Sequence, residues 1–472
     1  MNLSSQQTAT FVAAVAIAVL VAHAVGGLFA RFRQPAVVGE ILVGLLFGPT
    51  VLGLLAPDVA AALFPRTGPI AAILAGLAQL GTLLLMFVTG SELRLDAIGR
   101  DRRTIALVSI SGVALPFLIG LAVVLAVDYR DLVGPAGDRT TTVLVFAIAL
   151  AVTSIPVISR ILLDLGLLGG SFARIVLGVA ALEDVALYVV LAVVLSLASA
   201  RNTEFGLWQL LGVDQAGWTI AYHVVITMIF LVVFLLWGTR ALRFLLYGPP
   251  GIVGRRNPTA YRLVLLLAAV LMCVVLSINP IFGALLTGVC ARRADDAESR
   301  HAQVSGPQRS DAPATATPGN GVAAADSIGS WQTIRQFSLA FFIPVYFFTV
   351  GLNLDLVHDF DVWFFLWFFV LCCVVKAFSV LLGALLAGQP LCWSIDLSVA
   401  LNARGGPGIV LATTTLAAGV VNRSFATAMV LLSVLTSQMA GTWLDRRAAA
   451  VRQYDLGRMS VQSAAETAAA AK

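Results

Sequence analysis

The chain is short of charge, short of lysine and short of the clusters that build metal centres. Aspartate, glutamate, lysine and arginine make up 12% of its 472 residues, against roughly a quarter in an ordinary soluble domain. That is too little polar surface for a water-facing protein of this size. Only two lysines occur, Lys376 and Lys472, and the formal net charge of +5 comes from arginines. These sit in short clusters between apolar runs, which excludes a nucleic-acid partner and reads as membrane topology. The five cysteines, Cys273, Cys290, Cys372, Cys373 and Cys392, lie in or beside apolar segments without metal-ligand spacing. They are expected to be free, buried thiols. The histidines, His23, His223, His301 and His358, show no metal spacing either. No cofactor motif is present and the chain is not expected to be an enzyme. No positive charge precedes the first apolar run, so that run reads as a retained helix rather than a leader.

What the chain has is apolar length. Hydrophobic residues make up 59% of it and the mean hydropathy is +0.94. Runs long enough to cross a bilayer number about thirteen when shorter Gly- and Pro-interrupted ones are included. Their centres fall near residues 20, 45, 80, 115, 152, 185, 230, 268, 285, 343, 375, 405 and 435. The expected fold is an all-α membrane protein. Arginines alternate between loops: Arg31 and Arg33, Arg94 through Arg103, Arg160 and Arg174, Arg240 through Arg262, Arg292 through Arg335 and Arg446 through Arg458 share one side. The other side has only Arg66, Arg130, Arg139, Arg201 and Arg423. The bias predicts an outside N-terminus and a cytoplasmic C-terminus. By chain order the parts are a membrane segment over 1–293 with about nine spans, a flexible cytoplasmic linker over 294–332, a membrane segment over 333–447 with about four spans, and a short cytoplasmic tail over 448–472.

Charges at membrane depth cost roughly 3 kcal/mol on insertion scales, so each needs a reason. They are Glu40, Glu183, Asp184, Lys376 and Arg404, with Asp396 near a boundary. Glu183 and Asp184 are adjacent near mid-bilayer, and neighbours on a helix point about 100° apart. One can meet a partner charge while the other faces a cavity. Lys376 lies mid-span and needs a carboxylate; either acid of the pair can serve. Two further spans carry helix breakers at matching depth: Thr153, Ser154 and Pro156 in one, and Asn402, Ala403, Arg404, Gly405, Gly406, Pro407 and Gly408 in the other. Broken backbone at this depth lines a cavity or is buried in protein. If spans four to six repeat as spans eleven to thirteen, the copies run in opposite directions, the inverted-repeat plan of secondary transporters.

A buried aspartate among hydroxyls and free carbonyls offers hard oxygen ligands suited to Na⁺ or K⁺. Low-dielectric surroundings disfavour the bare carboxylate, so a proton competes for the same group. A group that binds either ion and faces each side in turn makes an exchanger, with Asp184, Glu183, Thr153 and Ser154 as the ion site and Lys376 as salt-bridge partner.

These residues resemble the monovalent cation:proton antiporter-2 family, bacterial Na⁺/H⁺ and K⁺/H⁺ antiporters and plant cation/proton exchangers. The resemblance runs over most of residues 10–445. It includes Val37-Val38-Gly39-Glu40-Ile41-Leu42-Val43-Gly44, Phe87-Val88-Thr89-Gly90-Ser91-Glu92-Leu93, Thr153-Ser154-Ile155-Pro156-Val157 and Glu183-Asp184-Val185. Later come Pro344 through Leu352, Lys376 and Ala403-Arg404-Gly405. It implies a thirteen-helix homodimer in membrane lipid, with a dimerisation domain and a mobile core working as an elevator. Asp184 would carry the ion, framed by crossed broken helices at Thr153 and Arg404, and Glu40 would be a structural motif residue among closely packed helices. Electrogenic relatives place two aspartates at the pair and electroneutral ones an asparagine before the aspartate. Glu183 keeps the first acid's charge, which leans toward electrogenic exchange.

Two other classes compete. A cation channel, or a pH-gated cation uptake protein without obligatory proton coupling, would also use broken helices, but no repeated filter segment is visible. An intramembrane aspartic protease would need carboxylates on facing helices rather than neighbours.

Overall fold

The computed structural model describes residues 3–32, 34–92, 101–126, 130–167, 170–202, 216–247, 257–304 and 320–470. Apart from one isolated antiparallel bridge between Val133 and Val421 and short turns, the regular structure described is helical. In chain order the α-helices are α1 (Ser5–Arg31), α2 (Ala36–Phe47), α3 (Leu52–Leu55), α4 (Pro57–Leu63), α5 (Pro69–Glu92), α6 (Arg102–Ala126), α7 (Arg139–Ala151), α8 (Ile155–Asp164) and α9 (Ser171–Asn202). They continue with α10 (Ala216–Val233), α11 (Thr239–Tyr247), α12 (Pro258–Val275), α13 (Pro280–Val304), α14 (Asn320–Phe337), α15 (Ile343–Leu352), α16 (Val362–Leu386), α17 (Leu391–Ala400), α18 (Gly405–Ala417) and α19 (Arg423–Ala470). Short π-helical stretches join α10 to α11 and α14 to α15.

The apolar runs become helices because a bilayer leaves the backbone no water to bond, and polar residues set their starts. Ser4 and Gln7 form a capping box on α1, Asp138 caps α7 through the Thr141 N–H at 2.8 Å, and Asp361 caps α16 through Trp363 and Phe364. Ten stretches are long and apolar enough to cross a membrane. The interrupted pairs α7/α8 and α17/α18 and the apolar first half of α13 bring the described passes to the thirteen expected.

The chain divides into two compact units, each assembled from separated stretches. The first comprises Met1–Ala71, Arg94–Ala198 and Phe347–Lys472; the second comprises Ala72–Leu93 and Ser199–Tyr346. Within the first, the order full helix, broken helix, full helix occurs twice, as α6, α7/α8, α9 and as α16, α17/α18, α19. Also in this unit, α2 lies close against α1: a Cβ on Gly39 would stand 2.9 Å from the Val25 carbonyl oxygen. Glu40 is buried at that contact, its Cγ over Gly26.

The second unit has a polar knot of its own. Asp295 is buried and accepts from Arg262 Nη2 at 2.8 Å, Trp331 Nε1 at 2.6 Å and the Tyr247 hydroxyl at 2.5 Å. Trp331 stacks on Phe87 with ring centroids 5.1 Å apart. This changes the linker expected over 294–332. Helix α13 runs to Val304 and α14 starts at Asn320, while Asp295 and Trp331 are core residues. The stretch reads as a linker from its composition, rich in Ala, Ser, Thr, Pro, Gly and Asp with little apolar content; the knot satisfies the polar groups that Asp295 and Trp331 bring into the core. Residues 305–319 lie outside the described residues. The tail expected from 448 is likewise helical, a continuation of α19 to Ala470. Of the thiols, Cys273, Cys290 and Cys372 are buried, Cys373 is half-buried and Cys392 is exposed, contrary to the expectation for the last.

Candidate functional site

The site begins with two interruptions that touch. Helix α7 ends at Ala151, and residues 152–154 are extended before α8 resumes at Ile155. Pro156 falls in the first turn of α8, where its missing N–H costs nothing. Helix α17 ends at Ala400, and α18 starts at Gly405 with Gly406 and Pro407 buried in its first turn. Gly405 has φ +41°, and a Cβ there would lie 2.3 Å from Val157 Cγ2 and 2.7 Å from Ser154 Oγ. Only glycine allows both the turn and the approach. Across the crossing, the Ser154 N–H donates to the Ala403 carbonyl at 2.8 Å and the Thr153 hydroxyl to that of Leu401 at 2.6 Å. The flanking loops pair too: Gly134 N donates to Val420 O at 3.0 Å and Ala136 N to Gly419 O at 2.8 Å. The start of one broken span therefore lies beside the end of the other, as inverted copies require.

A broken helix leaves carbonyls without partners at its C-terminal end, where the dipole is negative. Two buried cations answer this at α7. Arg404 donates from Nε to Ala149 O at 3.2 Å and from Nη2 to Leu150 O at 3.2 Å and Cys372 O at 2.9 Å. Its Nη1 donates to Asn402 O at 3.2 Å and Asn402 Oδ1 at 2.5 Å. Lys376 Nζ donates to Ala151 O at 2.7 Å, Gly112 O at 2.9 Å and Glu183 Oε1 at 2.8 Å. Five guanidinium hydrogens and three ammonium hydrogens exist, and these contacts use them all.

The acids differ accordingly. Glu183 is the partner of Lys376, which resolves the choice left open by the sequence. Asp184, one position on, has no solvent-exposed surface, and neither of its carboxylate oxygens has a hydrogen-bond partner among the described residues. An ionised carboxylate left this way costs several kcal/mol, and no buried cation nearby has a hydrogen left to give it. The group is thus placed to take a proton or a cation.

The structure brings Thr153, Ser154, Glu183, Lys376, Asn402, Arg404 and Gly405 together by direct contact, with Asp184 beside Glu183 on α9. Thr153 spends its hydroxyl bracing Leu401, and Ser154 Oγ accepts from Val157 N at 3.4 Å. Glu40 belongs to the contact of α2 with α1. Three participants escaped the sequence reading. Gly112 makes room for the ion pair, since a Cβ there would stand 2.5 Å from Glu183 Oε1; a glycine within an apolar helix gives no sign of this. Thr436 and Ser437 accept from the N–H groups of Arg404 and Gly405 at 3.4 and 3.2 Å. Their signal was present: Ser433, Thr436 and Ser437 share one face of an apolar helix.

The family profile described as "Sodium/hydrogen exchanger, transmembrane" matches residues 15–448. The chain belongs to this family. Cation/H(+) antiporter 15 of Arabidopsis thaliana is 34% identical over 179 residues, which is 38% of this chain and 21% of the plant protein. The Na(+)/H(+) antiporter NhaS4 of Synechocystis sp. is 32% identical over 196 residues, 41% of this chain and 46% of that protein. The matched region thus spans under half the length of both relatives. The Na(+)/H(+)-K(+) antiporter GerN of Bacillus cereus aligns along 90% of this chain and 93% of its own at 23% identity. Among solved structures, the sodium proton antiporter MjNhaP1 of Methanocaldococcus jannaschii superposes with TM-score 0.60 at 12% identity, covering 94% of this chain and 99% of that one. The exchanger family and these apolar helices make the chain an integral membrane protein of that fold.

Proposed function

We propose that the protein exchanges a monovalent cation, Na⁺ or K⁺, for protons across the membrane, with both competing for Asp184. The observation that carries this is the pair of buried, unpartnered oxygens of Asp184 beside two cations whose hydrogens are all engaged. Relatives named as Na⁺/H⁺, K⁺/H⁺ and cation/H⁺ antiporters support the same reading. Asp184 is closed to solvent here, so exchange requires movements that open it to each face in turn. Its ligands would come from its own carboxylate and the backbone oxygens of the breaks, Thr153 and Ser154 bracing the crossing and contributing where their hydroxyls turn inward.

Glu183 neutralises Lys376 when Asp184 is empty or protonated and releases it when a cation arrives. Lys376, then buried without its carboxylate, gives up a proton as well; two protons leave for one cation, and we assign electrogenic exchange. The working form is a homodimer in a plasma membrane with the N-terminus outside and the C-terminus cytoplasmic. Purified protein in liposomes, with proton-linked dequenching on additions of Na⁺, K⁺, Li⁺ and Rb⁺ from pH 6 to 9, tests the activity. Saturable proton release on adding Na⁺ or K⁺ is expected; cation flux without proton movement would overturn it.

A further inference from the structure

Helix α19 continues beyond the membrane span, and that continuation reaches the helices around the acid pair. At the start of α9 stands Gly170, where a helix ordinarily carries the side chain that caps its first N–H groups. Glycine has none to offer. Asp455 supplies the cap from the far end of the chain: its Oδ1 accepts from Ser171 Oγ at 2.5 Å and from Phe172 N at 3.2 Å. A Cβ on Gly170 would stand 1.8 Å from Asp455 Oδ2, so the missing side chain is what admits the carboxylate. Three residues earlier on the same face, Arg452 donates to the Leu165 carbonyl just past the end of α8. An anion at the N-terminus of α9 and a cation at the C-terminus of α8 each suit the local helix dipole.

The same stretch also holds α17. Arg447 grips Asp396 through two bonds of 3.0 and 3.2 Å, and Trp443 Nε1 donates to it at 3.0 Å. The Tyr454 ring packs on Trp393 at 5.7 Å, and its hydroxyl donates to Gln389 Oε1 at 3.3 Å. Helices α8 and α17 are halves of the two crossed spans, and α9 carries Glu183 and Asp184. One end of the crossing is tied by backbone bonds between the loops at 134–136 and 419–420. The other is tied by these side chains.

We propose that Asp455, seconded by Arg452, is a positioning residue for the ion site, fixing the register of α9 against the half-helices that frame Asp184. This rests on the reading of Asp184 as the exchange group. Asp184 lies about 20 Å along α9 from its capped end at 1.5 Å per residue. A helix transmits a slide or a rotation over that length, and a misplacement of about 1 Å is enough to degrade a site.

The test compares Asp455→Ala, Gly170→Ala and their double variant with Asp455→Asn in liposomes, measuring half-saturating cation concentration, maximal rate and pH midpoint. Gly170→Ala evicts the same carboxylate without altering it. Each single variant should raise the half-saturating concentration about fivefold, the equivalent of one lost cap, and move the pH midpoint. The double should be no worse than either single, because both remove one interaction. Asp455→Asn keeps an acceptor oxygen and should recover most of the affinity; Gly170→Ala carries the test if Asp455→Ala does not fold. Unchanged half-saturation and pH midpoint, with only yield or melting temperature reduced, would overturn the positioning role while leaving the exchange reading intact. An inactive wild-type protein would instead bring down the exchange reading, and this proposal with it.

Discussion

Two aspartates, one in each compact unit, show how the same buried side chain serves different ends. Asp295 in the second unit is surrounded by donors: Arg262, Trp331 and Tyr247 all bond to it. Asp184 in the first unit is as deeply buried and has none among the described residues. Burial alone therefore says little about function. A satisfied carboxylate ties helices together, whereas an unsatisfied one beside cations already fully bonded is open to a partner from outside, as we propose for Asp184. The difference lies in donor count, which a sequence does not display.

That contrast is breakable at both ends. Asp184→Asn should abolish cation-dependent proton flux while the protein still purifies and melts normally, since a neutral amide is cheaper to bury than an unpaired carboxylate. Loss of folding in place of loss of flux would make Asp184 a second Asp295. Next in size, Glu183→Gln should slow exchange by tenfold or so and weaken its response to membrane voltage, because Lys376 loses the carboxylate it is bonded to; liposomes under an imposed potential read both. Asp295→Ala should do the reverse. It strands Arg262 in the core and costs on the order of 3–5 kcal/mol of stability, seen as a lower melting temperature, while surviving protein keeps its half-saturating cation concentration. Gly112→Ala is subtler, pressing a methyl on Glu183 Oε1 and costing about 1–3 kcal/mol; partial activity with altered pH dependence is expected. Smallest is a shift in wild-type behaviour: with two protons displaced by one cation, a tenfold rise in cation should move the half-maximal pH about half a unit to the acid side, against about one unit if a single proton leaves.

Much of this was legible beforehand because membrane depth makes exceptions conspicuous. Glu183, Asp184, Lys376 and Arg404 stood out as charges in apolar runs, and the breaks at Thr153 and Asn402 stood out as helix breakers where helices are required. The inverted order followed from their positions. The partner of Lys376 did not, since adjacent acids differ only in which way the helix turns them. Nor did the role of Arg404 in capping α7, which depends on carbonyls that every residue has. The 294–332 stretch was misread at both ends because Asp295 and Trp331 find their partners in each other and in α11 and α12, over separations that composition does not register. Gly170 and Asp455 were invisible for the same reason, one lacking a side chain and the other lying in an apparent tail.

The central claim is most directly tested by counting protons released when a cation binds to the purified protein in weakly buffered detergent solution. Binding of Na⁺ or K⁺ to wild-type protein near its half-maximal pH should release protons, and Asp184→Asn should release none. Cation binding without proton release in the wild type, or undiminished release from Asp184→Asn, would contradict the account.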